Sequence, residues 1–260
     1  MRRREREFIA MSDFNRGAAR PWAGGQADMS VDAGLRAFML GVYNKMALGL
    51  LLSAALAWAT SHQPVVQYLF RVDDTGRAVG ITALGQALMF APLAVVLVGS
   101  FLMRGATVRN SGVFYWLVVS LLGAGLGLDA LIYTSTSIAA AFLVTATAFG
   151  ALSLVGYTTK RDLTGMGSFL IMGMFGMIAL SLVNMLFLHL AGLQFMVQIV
   201  LLAIFSGLIA FQTQALKMTY YQIGGDQQSL TVATNFGALN LYLDFINIFQ
   251  IILSLFGGRR

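Results

Sequence analysis

The chain contains no cysteine, two histidines and three prolines, and Asp, Glu, Lys and Arg together supply only 11% of its 260 residues. The lack of cysteine excludes a disulfide framework, a thiolate zinc site and a thiol nucleophile. His62, in a loop, has no metal-ligand partner at useful spacing, and His189 ends an apolar run as an interface residue. No Gly-x-Ser-x-Gly elbow, His-Glu-x-x-His helix or phosphate-binding glycine loop occurs, so the chain reads as a non-enzyme. Scarcity of charge is the strongest exclusion, because soluble domains carry about a quarter charged residues.

What is abundant is hydrophobicity, at 58% of residues, arranged in runs long enough to cross a bilayer. Seven spans are predicted, at 38–60, 80–103, 113–133, 137–156, 167–188, 193–214 and 236–256. Each covers ~30 Å of hydrocarbon at ~1.5 Å per residue. Thr134-Ser135-Thr136 alone separates the third and fourth, which requires a helical hairpin. The fold class is an all-α integral membrane protein. Residues 1–36 form a flexible, basic tail in which Ser30 and Asp32 can cap a short helix. Residues 37–257 form the membrane domain, and 258–260 a tail.

The net charge of +6 follows topology and does not indicate nucleic acid. Arg2, Arg3, Arg4, Arg6, Arg16, Arg20 and Arg36 lie before the first span, and Arg104, Arg109, Lys160, Arg161 and Lys217 fall in loops on the same side. That bias predicts a cytoplasmic N-terminus. An odd span count then puts Arg259 and Arg260 outside, against the bias, and leaves a re-entrant last segment as an alternative. The segment Phe8-Ile9-Ala10 is too short for the core of a cleavable leader, and Met11 stands beside Met1 as a start of translation.

The last span carries Asp244 deep inside an apolar run, where a carboxylate costs ~2.5–3.5 kcal/mol on insertion scales. Asn240, Asp244 and Asn247 are spaced i, i+4 and i+7 and share a helical face. Two readings are open: Asp244 lines a cation or proton pathway, or it locks the helix to its neighbours. Asp129, at the end of the third span, is a candidate for an outer mouth or an interfacial acid reaching water. Asn184 and Ser181 are expected to bond across helices. Gly123 and Gly127, and Gly173 and Gly176, suit close helix packing.

Leu241-Tyr242-Leu243-Asp244-Phe245-Ile246-Asn247-Ile248-Phe249 resembles the terminal signature of the Bax inhibitor-1 family. The stretch Ser153-Leu154-Val155-Gly156-Tyr157-Thr158-Thr159-Lys160-Arg161-Asp162-Leu163 and the segment Val42-Tyr43-Asn44-Lys45-Met46 are similar to that family too, so that the likeness spans about residues 35–257. The resemblance implies six helices around a central C-terminal seventh, a bacterial inner membrane, and a passive leak for calcium or another cation, modulated by pH. It also implies an alternative function, a non-transporting regulator that binds a membrane protease. In the family an acid on the sixth helix pairs with that on the seventh, within a pattern that often reads Tyr-Asp-Thr-Gln. Here Phe211-Gln212-Thr213-Gln214 stands in its place, and Gln212 replaces the acid. Calcium would thus be a transported ion, not a cofactor, with Asp244 the candidate ligand and Gln212, Asn240 and Asn247 its neutral neighbours. Losing one carboxylate removes the like-charge coupling that makes such a pair titrate as a unit.

Overall fold

The structure, a computed structural model, describes residues 33–73, 78–102 and 106–259. The tail to residue 32, with its Ser30–Asp32 cap, and Asp74, Arg77, Arg104 and Arg260 lie outside the described residues. The chain divides into residues 1–35 and 36–260. Of the first unit, only the opening residues of the first helix are described.

In hydrocarbon the backbone must satisfy its own hydrogen bonds, and apolar runs of this length do so as helices. The helices are α1 (Ala33–Ser61), the single turn α2 (Val66–Leu69), α3 (Ala83–Leu102), α4 (Val108–Gly125), α5 (Gly127–Ile132), α6 (Ser135–Thr158), α7 (Thr164–Val183), α8 (Ala191–Ile223) and α9 (Gln227–Phe256). Six helical stretches among the described residues are long and apolar enough to span a membrane: α1, α4 with α5, α6, α7 with its π-turn, α8 and α9. Hydroxyls within them satisfy themselves by bonding back one turn, as Thr145 does to the Ala141 carbonyl at 2.7 Å and Ser206 to that of Leu202 at 2.7 Å.

Short-range chemistry sets the connections. After α7, a π-turn over Asn184–Leu188 ends at His189, which has φ 52°. Asn184 was expected to bond across helices, but both ends of its amide engage Leu190: Oδ1 accepts from the Leu190 amide at 3.0 Å and Nδ2 donates to its carbonyl at 3.2 Å. It therefore fixes the turn into α8. Between α8 and α9, Gly224 takes the left-handed conformation at φ 66°, which side-chain-bearing residues adopt at a cost. Asp226 then caps α9 by accepting from the Ser229 amide at 2.9 Å, and contact with Ser229 holds its carboxyl below the usual range. The two longest helices thus form a tight antiparallel pair.

α8 and α9 each run about nine residues beyond the predicted spans, α8 to Ile223 and α9 back to Gln227. At ~1.5 Å per residue, the 33 residues of α8 measure ~50 Å, well beyond ~30 Å of hydrocarbon. Lys217, expected in a loop, therefore lies inside a helix.

α9 is the most enclosed helix, with 61% of its most apolar window buried against at most 39% elsewhere. It packs on α4, α6 and α8, and Tyr242 meets Ser53 of α1. Small residues permit the approach. A side chain at Gly156 on α6 would strike the Ala210 backbone of α8, one at Gly123 would strike Ser53, and one at Gly127 would strike Thr60. The α1 end of that contact is fixed where Thr60 Oγ1 donates to the Ala124 carbonyl at 2.9 Å.

The segment between α1 and α3 holds an antiparallel hairpin, β1 (Phe70–Val72) with β2 (Ala78–Ile81), pairing Phe70 with Ile81. Val66, Phe70 and Leu131 form its core, which seats the hairpin on α5. At the same end the C-terminal residues dock on the α5–α6 turn: the Thr134 amide donates to the Gly258 carbonyl at 3.0 Å, and the Gly258 amide to Ser137 Oγ at 2.9 Å.

Gly156→Leu is expected to destabilise the bundle by about 1–3 kcal/mol through overpacking. Gly150→Leu, on the same helix where a side chain meets nothing within 4 Å, is expected to be neutral. Thermal unfolding of the two variants in one detergent checks the pair.

Candidate functional site

α9 carries the polar residues that the apolar bundle must accommodate, and its rotation decides what each one meets. Gly237 of α9 abuts Leu216 of α8. Asp244 lies two turns further along the same face of α9, and Gln212 one turn back from Leu216 on the antiparallel α8. Both sequence-predicted residues therefore belong to the α8–α9 contact. Asp244 is 4% exposed. Its Oδ2 and Gln212 Oε1 are the two buried side-chain acceptors without a hydrogen-bond partner among the described residues. Leaving a buried acceptor unsatisfied costs ~1–3 kcal/mol, and more when it is charged. Such oxygens are the ligand type that hard cations take.

The two asparagines behave differently. Asn240 is exposed, and Asn247 is half-buried with its amide donating to the Leu243 carbonyl of its own helix at 2.8 Å. The face they share with Asp244 is thus split at the edge of the α8 contact, with the acid inside and the amides at the margin.

A second polar cluster lies between α1, α4 and α9, nearer the end at which all three begin. Lys45 donates from Nζ to Asn235 Oδ1, and the ammonium sits 5.1 Å from the Tyr115 ring centroid. Asn235 Nδ2 donates to Ser111 Oγ at 2.7 Å, and the Tyr115 hydroxyl to the Lys45 carbonyl at 2.7 Å. Ser53 and Tyr242 share a hydroxyl–hydroxyl bond of 2.7 Å further along. Among the described residues Lys45 has no carboxylate partner; an amide and aromatic faces hold its charge.

The last turn of α6 and the loop after it, to Leu163, are pinned to α8 at three points. Lys217 Nζ donates to the Tyr157 carbonyl, a cation at the carbonyl-rich end of α6. Gln214 accepts from the Leu163 amide at 2.8 Å and donates to the Arg161 carbonyl at 2.7 Å. Asp162 precedes α7, its Oδ1 accepting from the Thr164 hydroxyl at 2.6 Å and amide at 2.9 Å, which holds its carboxyl below the usual range. The lysine that sequence reasoning assigned to topology is a structural cap.

At the opposite end of the bundle is a cavity of about 930 Å³. Asp129, at α5, and Ser61 and His62, at the end of α1, line it, with Phe245 and Ile246 of α9 deeper in. Asp129 is half-buried and shares a side-chain hydrogen bond with Gln250 of α9. The deep wall thus includes the residue next to Asp244, whose own side chain faces α8.

Asn235 escaped the sequence reading, and Gln214 entered it only as part of the Phe211–Gln214 stretch, without a role. Asn235 falls one residue before the predicted last span, and Gln214 ends the sixth. Both places read as interface, where polar residues attract no notice. The signal available was pairing, since Lys45 inside a span demands a partner.

The sequence model of the family described as inhibitor of apoptosis-promoting Bax1 matches residues 35–260. An uncharacterized protein of Caulobacter vibrioides is 58% identical over 250 residues, covering 96% of this chain and 100% of its own length. Inner membrane protein YbhL of Escherichia coli K12 is 41% identical over 230 residues, 88% of this chain and 94% of its own. An uncharacterized protein of Rickettsia prowazekii is 42% identical over 232 residues, 88% and 92% respectively.

Asn235→Leu strands the Lys45 ammonium and removes the bond that Ser111 Oγ accepts, and is expected to cost about 1–3 kcal/mol. Asn247→Leu, which removes a bond within one helix only, is expected to cost less than about 0.6 kcal/mol. Chemical unfolding of both variants in lipid-doped micelles decides the order.

Proposed function

The chain belongs to the Bax inhibitor-1 family, and from that premise we propose that it is a passive cation leak of a bacterial inner membrane, with calcium as the transported ion. The observation that carries this reading is Asp244: a buried carboxylate on the α8 face of the central helix, with an unpaired oxygen, and with the unpaired Gln212 carbonyl on the facing helix. Together they offer hard oxygen ligands in mid-bundle, one from a carboxyl and one from an amide. Asp129 supplies acidic oxygen at the cavity mouth. Asn240 and Asn247 lie along the margin of the α8–α9 seam, where hydration would reach Asp244.

In this reading the bundle has seven crossings, six helices around α9, with the beginning of α1 in the cytoplasm. Support for the seventh comes from the ends of α3. Gly85, near its start, is packed on the Leu69 carbonyl beside the hairpin, and Gly99 is packed on Phe114, near the start of α4. α3 therefore links the two ends of the bundle. Arg36, Arg109, Lys160 and Arg161 gather at one end, which the charge rule assigns to the cytoplasm.

Conduction needs two arrangements of the α8–α9 seam, one enclosing Asp244 and one hydrating it. With Gln212 in place of an acid, the seam holds one ionisable carboxyl where the family pair has two. Cation affinity is lower, and coupled titration is absent.

Calcium uptake by proteoliposomes between pH 5 and 8 tests the proposal. Wild type is expected to conduct, Asp244→Asn to lose at least about tenfold in flux, equivalent to ~1.4 kcal/mol, and Gln212→Asp to gain a pH-dependent component. Unchanged flux in a folded Asp244→Asn variant would falsify the pathway. No flux in wild type, with flux in Gln212→Asp, transfers the assignment to a non-transporting regulator of a membrane protease. That regulator would lose co-purification with its partner on deletion of residues 1–28.

A further inference from the structure

The cavity at the distal end has the form of a lipid slot, and its chemistry selects a head group. It runs along α1 from Leu50 to His62, ~18 Å at 1.5 Å per residue, comparable with the ~15 Å hydrocarbon depth of one leaflet. Its volume of about 930 Å³ falls in the range of ligand sites, ~300–1,000 Å³. The deep part is largely apolar, bounded by Leu50, Ala54, Phe142 and Phe245, and the hydroxyl of Ser53 among them is bonded to that of Tyr242. Leu51 and Leu143, which line it from α1 and α6, are 67% and 66% exposed, so the slot opens sideways on the hydrocarbon surface of the protein.

The polar end gathers acceptors. Asp129 presents its carboxylate there. His62 Nδ1 lies 2.7 Å from the Trp58 carbonyl, which can only accept, so Nδ1 donates there, and in the ring's neutral form Nε2 is the acceptor. Ser61 already donates its hydroxyl hydrogen to the same carbonyl at 2.9 Å. An apolar slot one leaflet deep, ending in a carboxylate and an imidazole acceptor, complements a chain topped by a primary ammonium, which has three N–H donors.

We propose that this cavity binds an aminophospholipid of the adjoining leaflet, with an acyl chain between α1 and α6 and the ethanolamine ammonium on Asp129 and His62. A trimethylated head has no N–H to donate, and a glycerol head offers hydroxyl donors but no positive charge, so neither gives charge-assisted hydrogen bonds to the carboxylate. The assignment goes beyond ion conduction and holds whether or not the chain conducts.

The test reconstitutes the full chain in vesicles of equimolar phosphatidylethanolamine, phosphatidylcholine and phosphatidylglycerol. After extraction into mild detergent, native mass spectrometry reads the lipids retained. Wild type is expected to prefer phosphatidylethanolamine about tenfold, the equivalent of one charge-assisted hydrogen bond. Asp129→Asn is expected to remove the preference while retaining lipid. Ala54→Phe, which fills the slot and leaves the head site intact, is expected to reduce retention of all three. Equal retention of the three lipids by wild type overturns the proposal, as does a preference that survives Asp129→Asn.

Discussion

Hydrocarbon gives an unpaired polar atom no water to return to, and the way this bundle meets that constraint at α9 governs most of its geometry. Asn235 takes the Lys45 ammonium and gives its own amide to Ser111, so one side chain joins three helices. Seven residues on, Tyr242 shares a bond with Ser53, tying α9 to α1 again. These two attachments fix the rotation of α9 about its axis. With that rotation set, Gly237 must meet Leu216, and Asp244 two turns later must face α8. The placement of the buried acid thus follows from polar bonds made elsewhere along the helix.

Close backbone approach is the second half of the same arrangement. Gly123 and Gly127 let α1 settle on α4 and α5 near enough for Thr60 to reach the Ala124 carbonyl, and Gly156 does the same for α6 and α8, where Ser153 meets Thr213 at 3.3 Å. A small residue and a neighbouring hydroxyl recur at both seams. In lipid, packing and interhelical hydrogen bonds replace the hydrophobic drive that joins helices in water. α7 packs on α8, where Gly167 abuts Phe211, but 6% of its apolar window is buried, and it presents Phe169, Met172 and Phe175 outward.

The helices were legible in the sequence because long apolar runs leave the backbone one solution in a bilayer. Run length also required the hairpin at Thr134-Ser135-Thr136, where α5 ends at Ile132 and α6 begins at Ser135. What hydropathy could not show was how far α8 and α9 continue past the hydrocarbon, since Lys217 and Asn235 lower the average there. Asp244 stood out because charge in an apolar run is costly. The split between it and its asparagines did not, because Asn240, Asp244 and Asn247 span only about 60° of arc at 100° per residue. That arc is narrow enough to count as one face and wide enough to cross the edge of α8. The distal cavity was illegible for another reason: its walls come from α1, α5, α6 and α9, and no local pattern records their meeting.

The charges inside the spans are distributed unequally along the bundle. Lys45 and Lys217 lie toward the end where α1 begins, each held by an oxygen that is not a carboxylate, while Asp129 lies at the opposite end and Asp244 between. A cation entering from the Asp129 end meets acceptor oxygen first and fixed positive charge last. In a leak this order concentrates the ion at the mouth and places the barrier near the lysines, where Coulomb repulsion in a poorly screened interior is strong. The mouth is also where a lipid ammonium would sit, and it would neutralise the same carboxylate that attracts the ion. If both proposals hold, lipid and ion compete for Asp129, and the composition of one leaflet sets how often the acid is available.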